Sequence, residues 1–363
     1  MLSPRETVIY ATIDCLPLAQ DICALLCGEF CGGGINKETD DAHDYRQFKA
    51  CQCEAHGRVM LGGFRDNTMN LCADGEWRPR LDTDVRNKRV YVLGPGHGEG
   101  QRHWRFLTLL DTVREAGVFE MVALPTVLQG QRDERKSTYR VGIGAKLAVE
   151  SICLRHPSRI IFTEPHADAI LGFANSPTVG EAIYGSKILI PYFLKNFDVE
   201  NIVWFAPDKG AVDRCRKYRQ FTGSKRPMAF GYKEHIGQNE LSEEEIAIVG
   251  DVAGADVWLP EDMVDTGNTL CKVGDAVMRA GARSVNATAT HSLLSGNAIE
   301  RLAESGIKNL VCLDTVRHPP EKLHVEGVNI VQLSSAPLYA ETLARCVNGK
   351  SFSKMINRIG VMA

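Results

Sequence analysis

Val257-Trp-Leu-Pro-Glu-Asp-Met-Val-Asp-Thr-Gly-Asn-Thr269 is the stretch on which the reading of this chain turns. It runs from a short apolar strand, Val257 to Leu259, through the acidic pair Glu261 and Asp262 into a loop of small and hydroxyl residues. A helical pattern, Thr269 to Ala280, follows and stops at Gly281. Each part has a physical job. Successive N–H groups of Asp265, Thr266, Gly267, Asn268 and Thr269 can wrap a phosphate, helped by the Thr hydroxyls and the positive end of the helix. Gly267 permits close backbone approach. Glu261 and Asp262 offer acceptors to a pair of ribose hydroxyls. The competing reading is that Asp265 or Thr266 merely caps the helix while the two acids stay solvated. Strand, acid pair, loop and helix in that order favour a ligand site.

Outward from this stretch, the chain from about residue 89 repeats one grammar: a short β-branched run, a loop with Gly, Pro or acidic residues, then a helical pattern. That predicts an α/β fold with mainly parallel sheets. Strands are expected at Arg89 to Leu93, Phe119 to Leu124, Ile160 to Thr163, Asn201 to Phe205, Ser284 to Thr290, Asn309 to Leu313 and Asn329 to Gln332. Helices are expected at Trp104 to Glu115, Gly144 to Arg155, Lys209 to Tyr218 and Asn297 to Ser305. Near the start, Ile9 to Thr12 reads as a strand and Leu16 to Phe30 as a helix, whereas about 31 to 66 is polar, glycine-rich and without clear period, an insertion or mobile segment. In open α/β sheets ligands bind beyond the carboxyl ends of strands, so the post-strand loops are where chemistry is sought.

Composition narrows the function. The 363 residues carry 42 Lys and Arg against 45 Asp and Glu, a formal net charge of −3, which argues against a general nucleic-acid or membrane-surface binder. No apolar run reaches the ~18 residues of a membrane span, and the start lacks a basic region followed by an apolar one, so a cytoplasmic protein is expected. The 12 cysteines then read as reduced thiols. Cys23, Cys27, Cys31, Cys51, Cys53 and His56 could assemble a zinc site, but tight C-x2-C pairs are missing and ordinary thiols are the expectation.

The Asp265–Thr269 loop resembles the binding loop for 5-phosphoribosyl 1-diphosphate (PRPP) shared by phosphoribosyltransferases and ribose-phosphate pyrophosphokinases. Further segments separate the two families. Gln131-Arg-Asp-Glu-Arg-Lys136, followed by Ile143-Gly-Ala-Lys146, resembles the catalytic flexible loop of the pyrophosphokinases, R-Q-D-R-K and then P-I-S/T-A-K, which simple phosphoribosyltransferases lack. Glu164-Pro-His-Ala-Asp-Ala-Ile-Leu-Gly-Phe173 looks like D-L-H-A-x-Q-I-Q-G-F, and Pro207-Asp-Lys-Gly-Ala-Val-Asp-Arg214 looks like P-D-x-G-G-V-x-R. Thr290-His-Ser-Leu-Leu-Ser-Gly296 looks like T-H-G-L-F-S-G, and Ala73-Asp-Gly-Glu76 is similar to F-S-N-G-E. The ordered match spans about residues 70 to 350.

The resemblance implies two phosphoribosyltransferase-type α/β domains, each a mainly parallel sheet flanked by helices. They are residues 1–179, with the insertion at about 31–66 and joined by the C-terminal helix at about 337–347, and residues 180–336. It implies an active site between them in a homo-oligomer, dimer or hexamer, with ATP partly held by a neighbouring subunit. The implied reaction is Mg²⁺-dependent transfer of the diphosphoryl group of ATP to the C1 hydroxyl of ribose 5-phosphate. Such a transfer needs charge neutralisation, in-line positioning and exclusion of water. By resemblance, Arg132, Arg135 and Lys136 form a mobile cationic lid, His166 and Asp208 hold Mg²⁺, and Lys233 stabilises the transferring group. His235 stands where the family has Arg. Asp74, Glu76, Arg132 and Asp133 serve the nucleotide, while Glu261, Asp262 and Asp265 to Thr269 take the sugar phosphate. The competing reading of Lys233 to His235 is an exposed turn. Cys72 replaces the Phe that stacks on adenine, so Trp77 or another residue must cover the base. Asp133 for Gln and Glu164-Pro165 for Asp-Leu mark a divergent member. Two other readings stay open: a diphosphokinase for a larger derivative such as ADP-ribose, and a catalytically silent regulatory homologue. The latter usually interrupts the flexible loop, which here runs from Arg132 to Lys146 without insertion.

Overall fold

Runs such as Arg89-Val-Tyr-Val-Leu-Gly94 and Ile202-Val-Trp-Phe-Ala206 are apolar at nearly every position, as strands covered on both faces must be. Both are strands with almost every side chain buried. The structure, a computed structural model, describes residues 6–31, 59–63, 72, 76–98, 100–235 and 244–352, with backbone only at 27–31, 233–235 and 244–245. It divides into two compact units, one running to Ile183 and including Ala336–Phe352, the other Tyr184–Ser335.

The first unit contains β1 (Thr7–Ala11), α1 (Leu16–Cys31), β2 (Val59–Leu61), β3 (Arg89–Gly94), α2 (Gly100–Glu115), β4 (Glu120–Pro125), α3 (Gly144–Cys153), β5 (Arg159–Thr163) and β6 (Val179–Ile183). Its described strands form a sheet in the order β2-β1-β3-β4-β5-β6, parallel throughout. Phe106, Leu109, Leu110 and Val113 of α2 and Ala145, Val149 and Ile152 of α3 bury one face against Val90, Val92, Ala123 and Ile160. Trp77 belongs to this same core and is 6% exposed. Within the stretch 31–66 set apart in the sequence, Val59–Leu61 pairs as an edge strand with β1, and residues 32–58 lie outside the described ones.

The second unit contains α4 (Ser186–Asn196), β7 (Ile202–Ala206), α5 (Val212–Thr222), β8 (Ala229–His235), β9 (Glu244–Val249), β10 (Asp256–Val264), α6 (Asn268–Arg279), β11 (Ser284–Ser292), α7 (Ala298–Glu304), β12 (Ile307–Leu313), α8 (Pro320–Leu323), β13 (His324–Val325) and β14 (Val328–Leu333). The sheet order is β13-β14-β12-β11-β10-β7-β8-β9, with β8/β9 and β13/β14 antiparallel and the rest parallel. Strand alternation splits its core in two. Val203, Phe205, Val257 and Leu259 face α6 and α7, where Leu270, Val273, Val277 and Leu302 meet them. Trp204 and Trp258 face α4 and α5, where Phe193 packs edge-on to Trp258 at 4.5 Å between ring centroids. A last helix, α9 (Ala336–Val347), lies against α1, and its Tyr339 hydroxyl is 2.6 Å from Thr163 of β5.

Candidate functional site

The sequence suggested that the decisive strand stops at Leu259 with the acids beyond it. The strand instead continues to Val264, because its parallel pairing with β11 runs on through Glu261↔Ala289 to Met263↔His291 and Val264↔Ser292. Glu261 and Asp262 are therefore held by ladder geometry rather than by a loop. Asp262 is 4% exposed and Glu261 is half-buried. Between them reaches Arg214 from α5: Nη1 lies 3.6 Å from Glu261 Oε2 and donates to Pro260 O at 3.3 Å, and Nη2 lies 3.4 Å from Asp262 Oδ1. The acids are paired and partly desolvated, which overturns the reading of a solvated acid pair.

The loop that follows is not a side-chain cap either. Gly267 is the N-cap residue of α6, at φ +73°, and no side chain caps the helix. That left-handed conformation is one a glycine adopts without steric cost. The loop's carbonyls are already taken: Val264 O accepts from Leu293 N and Leu294 N, Asp265 O from Ser295 N at 3.1 Å, Thr266 O from the Arg301 guanidinium, and Gly267 O from Cys271 N. With those oxygens engaged, what the Asp265–Thr269 backbone has left to offer is N–H groups, beside the Thr266 and Thr269 hydroxyls and the Asp265 carboxylate.

Asp208 stands at the carboxyl end of β7, which pairs in parallel with β10, so it shares a sheet edge with the acid pair. Its Oδ1 accepts from Ala211 N at 3.1 Å and caps the 3-10 turn Lys209–Ala211. The carboxylate is exposed but oriented. Buried Cys215 shows how close the charges lie: burial first, then the Glu261 carboxylate, push its thiol up, Arg214 opposing and Asp208 adding. A Mg²⁺ ion commonly takes one or two carboxylates and the rest of its shell from phosphates and water. A single exposed, oriented carboxylate suits that mode, and among the described residues no cluster of three or more His, Cys, Asp or Glu offers a ready-made cage.

In the first unit, Arg132, Asp133, Arg135 and Lys136 are exposed on the loop between β4 and α3. The loop is anchored at its base, with Asp133 N donating to Gly130 O at 2.9 Å and Ala145 N to Asp133 O at 3.3 Å. Arg135 Nε lies 3.4 Å from Glu134. Gln131 beside them is 3% exposed and its amide has no partner among the described residues. His166 and Asp168 are exposed in the turn after β5, which Glu164 enters at φ +41°. Cys72 N donates to Glu76 O at 2.7 Å, and Glu76 pairs with Arg78 at 2.9 Å. Asp74 lies outside the described residues. Trp77, offered above as a cover for adenine, spends its ring in the core and has no face for a base.

Lys233 and His235 are strand residues of β8, paired with Ile246 and Glu244 of β9, so the exposed-turn reading fails; their side chains lie outside the described residues. For zinc, Cys23 is half-buried, while the side chains of Cys27 and Cys31 and all of Cys51, Cys53 and His56 are outside the described residues. The sequence pattern assigns no role to Arg214, which pairs with both acids, or to Arg301, which holds Thr266 O. The former's signal was its place closing the Pro207–Arg214 segment.

A mainly parallel α/β unit with an acid pair running into a loop that no side chain caps, in one chain with a second parallel α/β unit, is an architecture of phosphoribosyl type. Residues 58–154 match the N-terminal domain of ribose phosphate pyrophosphokinase and residues 229–357 the phosphoribosyl synthetase-associated domain. The chain is 32% identical over 283 residues to the ribose-phosphate pyrophosphokinase of Porphyromonas gingivalis, covering 78% of this chain and 87% of that one. It is also 32% identical over 289 residues to that of Helicobacter hepaticus, covering 79% and 90%. Phosphoribosylpyrophosphate synthetase from Mycobacterium smegmatis has the same fold, with a TM-score of 0.75 at 24% identity over 95% of this chain and 100% of that one. The chain belongs to the ribose-phosphate pyrophosphokinase family and is a transferase of that kind. No helix among the described residues is long and apolar enough to cross a membrane.

Proposed function

We propose that the enzyme transfers the diphosphoryl group of ATP to the C1 hydroxyl of ribose 5-phosphate, giving PRPP and AMP, with Mg²⁺ required. The observation that carries this reading is β10, which places two arginine-paired carboxylates, one of them buried, directly before the Asp265–Thr269 loop. The loop N–H groups and hydroxyls of Asp265, Thr266, Gly267, Asn268 and Thr269 hold the 5-phosphate. Glu261 and Asp262 accept from the ribose hydroxyls. Anchored at two points, the sugar presents its C1 oxygen, which bonds to the β-phosphorus of ATP as the bond from that phosphorus to the α,β-bridging oxygen breaks. AMP leaves with the bridging oxygen, and the proton of the C1 hydroxyl passes to water.

Arg132, Arg135 and Lys233 lower the barrier by placing fixed positive charge where the transferring group's oxygens become more negative. His235 adds a cation there only when protonated. Asp74, Glu76 and Asp133 serve the nucleotide. Asp208 would hold Mg²⁺, a role the family resemblance also gives His166, and the ion would supply positive charge against the ATP phosphates. The same reading makes the enzyme a cytoplasmic homo-oligomer.

The test is ³¹P NMR of the purified protein with Mg²⁺ and ATP, given ribose 5-phosphate in one tube and ADP-ribose in another. AMP together with a new C1 diphosphate from ribose 5-phosphate is the expected result. Product from ADP-ribose alone, or from neither, would overturn the proposal.

A further inference from the structure

We infer that Arg214 is a positioning residue for the acceptor sugar: its guanidinium fixes the Glu261 and Asp262 carboxylates in place and joins them to the chain segment that bears Asp208. The inference deepens the proposed function and rests on it. Arg214 lies in the first turn of α5, where the helix dipole disfavours a cation. Its place makes sense only through β10. There one guanidinium nitrogen approaches Glu261 at 3.6 Å and also donates to Pro260 O at 3.3 Å, while the other approaches Asp262 at 3.4 Å.

Consecutive side chains of a strand project to opposite faces, so Glu261 and Asp262 have no common direction of their own; the approach of both to one guanidinium supplies it. The planar fork of an arginine, with one nitrogen near each acid, can hold two carboxylates at once, which a single ammonium does less well. Continuity of the chain adds the second part. Asp208 caps the turn Lys209–Ala211, that turn runs directly into α5 at Val212, and Arg214 follows two residues later. The short segment 208–214 thus links the carboxylate proposed for the cation to those proposed for the sugar.

The experiment is steady-state kinetics, calorimetric binding of ribose 5-phosphate and thermal melts on Arg214→Met, Arg214→Lys and a control, Arg216→Met. Arg216 is on the same helix, pairs with Asp213 at 2.6 Å and is largely exposed. Arg214→Met is expected to raise both the KM and the Kd for ribose 5-phosphate by about tenfold or more, the loss of one charge-assisted contact, while the KM for MgATP changes less than about twofold. Arg214→Lys should recover part of this, because one ammonium can serve one carboxylate. The control should match wild type. A sugar KM within about twofold of wild type in Arg214→Met overturns the inference. So does an equal rise for both substrates with a lowered melting temperature, which would make Arg214 a fold residue. Should Arg214→Met fail to fold, Arg214→Lys alone decides, since an unchanged sugar KM in it refutes the need for a two-pronged partner. A wild type that neither binds nor converts ribose 5-phosphate removes the proposed function itself, a result distinct from a normal wild type with a normal variant.

Discussion

Replacing Asp262 by Asn keeps the shape of a buried side chain and deletes its charge, so its consequences can be worked in advance. Asp262 is 4% exposed, with Arg214 Nη2 at 3.4 Å. A hydrogen bond to a charged partner contributes about 1.5–3 kcal/mol and a neutral one about 0.5–1.5, so the sugar loses about 1–1.5 kcal/mol of binding. That is roughly a five- to tenfold rise in the KM for ribose 5-phosphate. Stability falls less than the ~3–5 kcal/mol that breaking a buried pair can cost, because Arg214 keeps Glu261 at 3.6 Å and Pro260 O at 3.3 Å. A loss of about 1–2 kcal/mol corresponds to a melting temperature lower by roughly 2–8 °C for a unit of this size. The assay is initial AMP formation with each substrate varied in turn, beside a calorimetric melt. A KM change confined to ATP would mean that the acceptor site is elsewhere. A melting temperature lower by more than about 10 °C with normal kinetics would make Asp262 a structural residue only.

Arg132→Ala and Lys233→Ala should each lower kcat by about two orders of magnitude or more with ATP binding retained in equilibrium dialysis, and near-normal turnover would remove them from the mechanism. Gly267→Ala places a Cβ with no neighbour nearer than 3.7 Å, so its penalty is the left-handed backbone alone, about 1–2 kcal/mol; the expected result is a raised KM for ribose 5-phosphate, and unchanged kinetics would show that the loop tolerates another path. His103 and His318 both lie below the ordinary histidine range because burial penalises the imidazolium. Their contribution to stability is therefore complete above pH ~6.5 and is lost as pH falls from there toward the folded values, since the unfolded chain binds the extra protons; a double His103→Gln, His318→Gln variant should show a shallower decline of melting temperature between about pH 7 and 5. Burial pushes the thiols of Cys15 and Cys312 up to about 12 and that of Cys346 to about 11, so iodoacetamide at about pH 8 should leave these three unlabelled in the native protein and label them after unfolding, as mass spectrometry would read.

The sheet strands were legible where burial on both faces writes a continuous apolar run: Arg89 to Leu93 is Arg89–Gly94, and Asn309 to Leu313 is Ile307–Leu313. Elsewhere one residue hid an element. Pro191 breaks the apolar pattern of α4, yet the helix forms because Leu189, Ile190 and Phe193 bury themselves against the sheet. Gly180 interrupts β6, where a Cβ would lie 2.7 Å from Leu171 O and only glycine fits. The hairpin β8/β9 is polar along Lys233 to His235, which local pattern reads as a turn. Pro260 and the acids after it read as the end of a strand. Beyond Trp258↔Trp204 the register of β10 with β7 stops, so a proline can be accommodated on that side while pairing with β11 carries the strand on.

The candidate site was legible to the extent that it is local. Strand, acid pair, loop and helix occupy one continuous stretch, and the structure keeps that order. What joins distant segments was not legible. Arg214 of α5 meets Glu261 of β10 with the whole β8/β9 hairpin between them in sequence, and composition could not show that Trp77 is consumed by the core. The partnership also sets an electrostatic condition. Asp208, Glu261, Asp262 and Asp265 gather at the carboxyl ends of β7 and β10, and Arg214 is committed to two of them. An edge so rich in carboxylates repels the polyphosphate of ATP. Whatever brings the diphosphoryl group to that edge must bring positive charge with it. Arg132, Arg135 and Lys136 are exposed in the first unit and Lys233 lies on β8; the proposed function gives these charges to turnover and not to sugar binding. A variant lacking Arg132 and Lys233 together should still bind ribose 5-phosphate with near wild-type Kd while forming no detectable AMP. Loss of both properties at once would mean that the acid pair and the cations are one binding site and that the division of labour argued here is wrong.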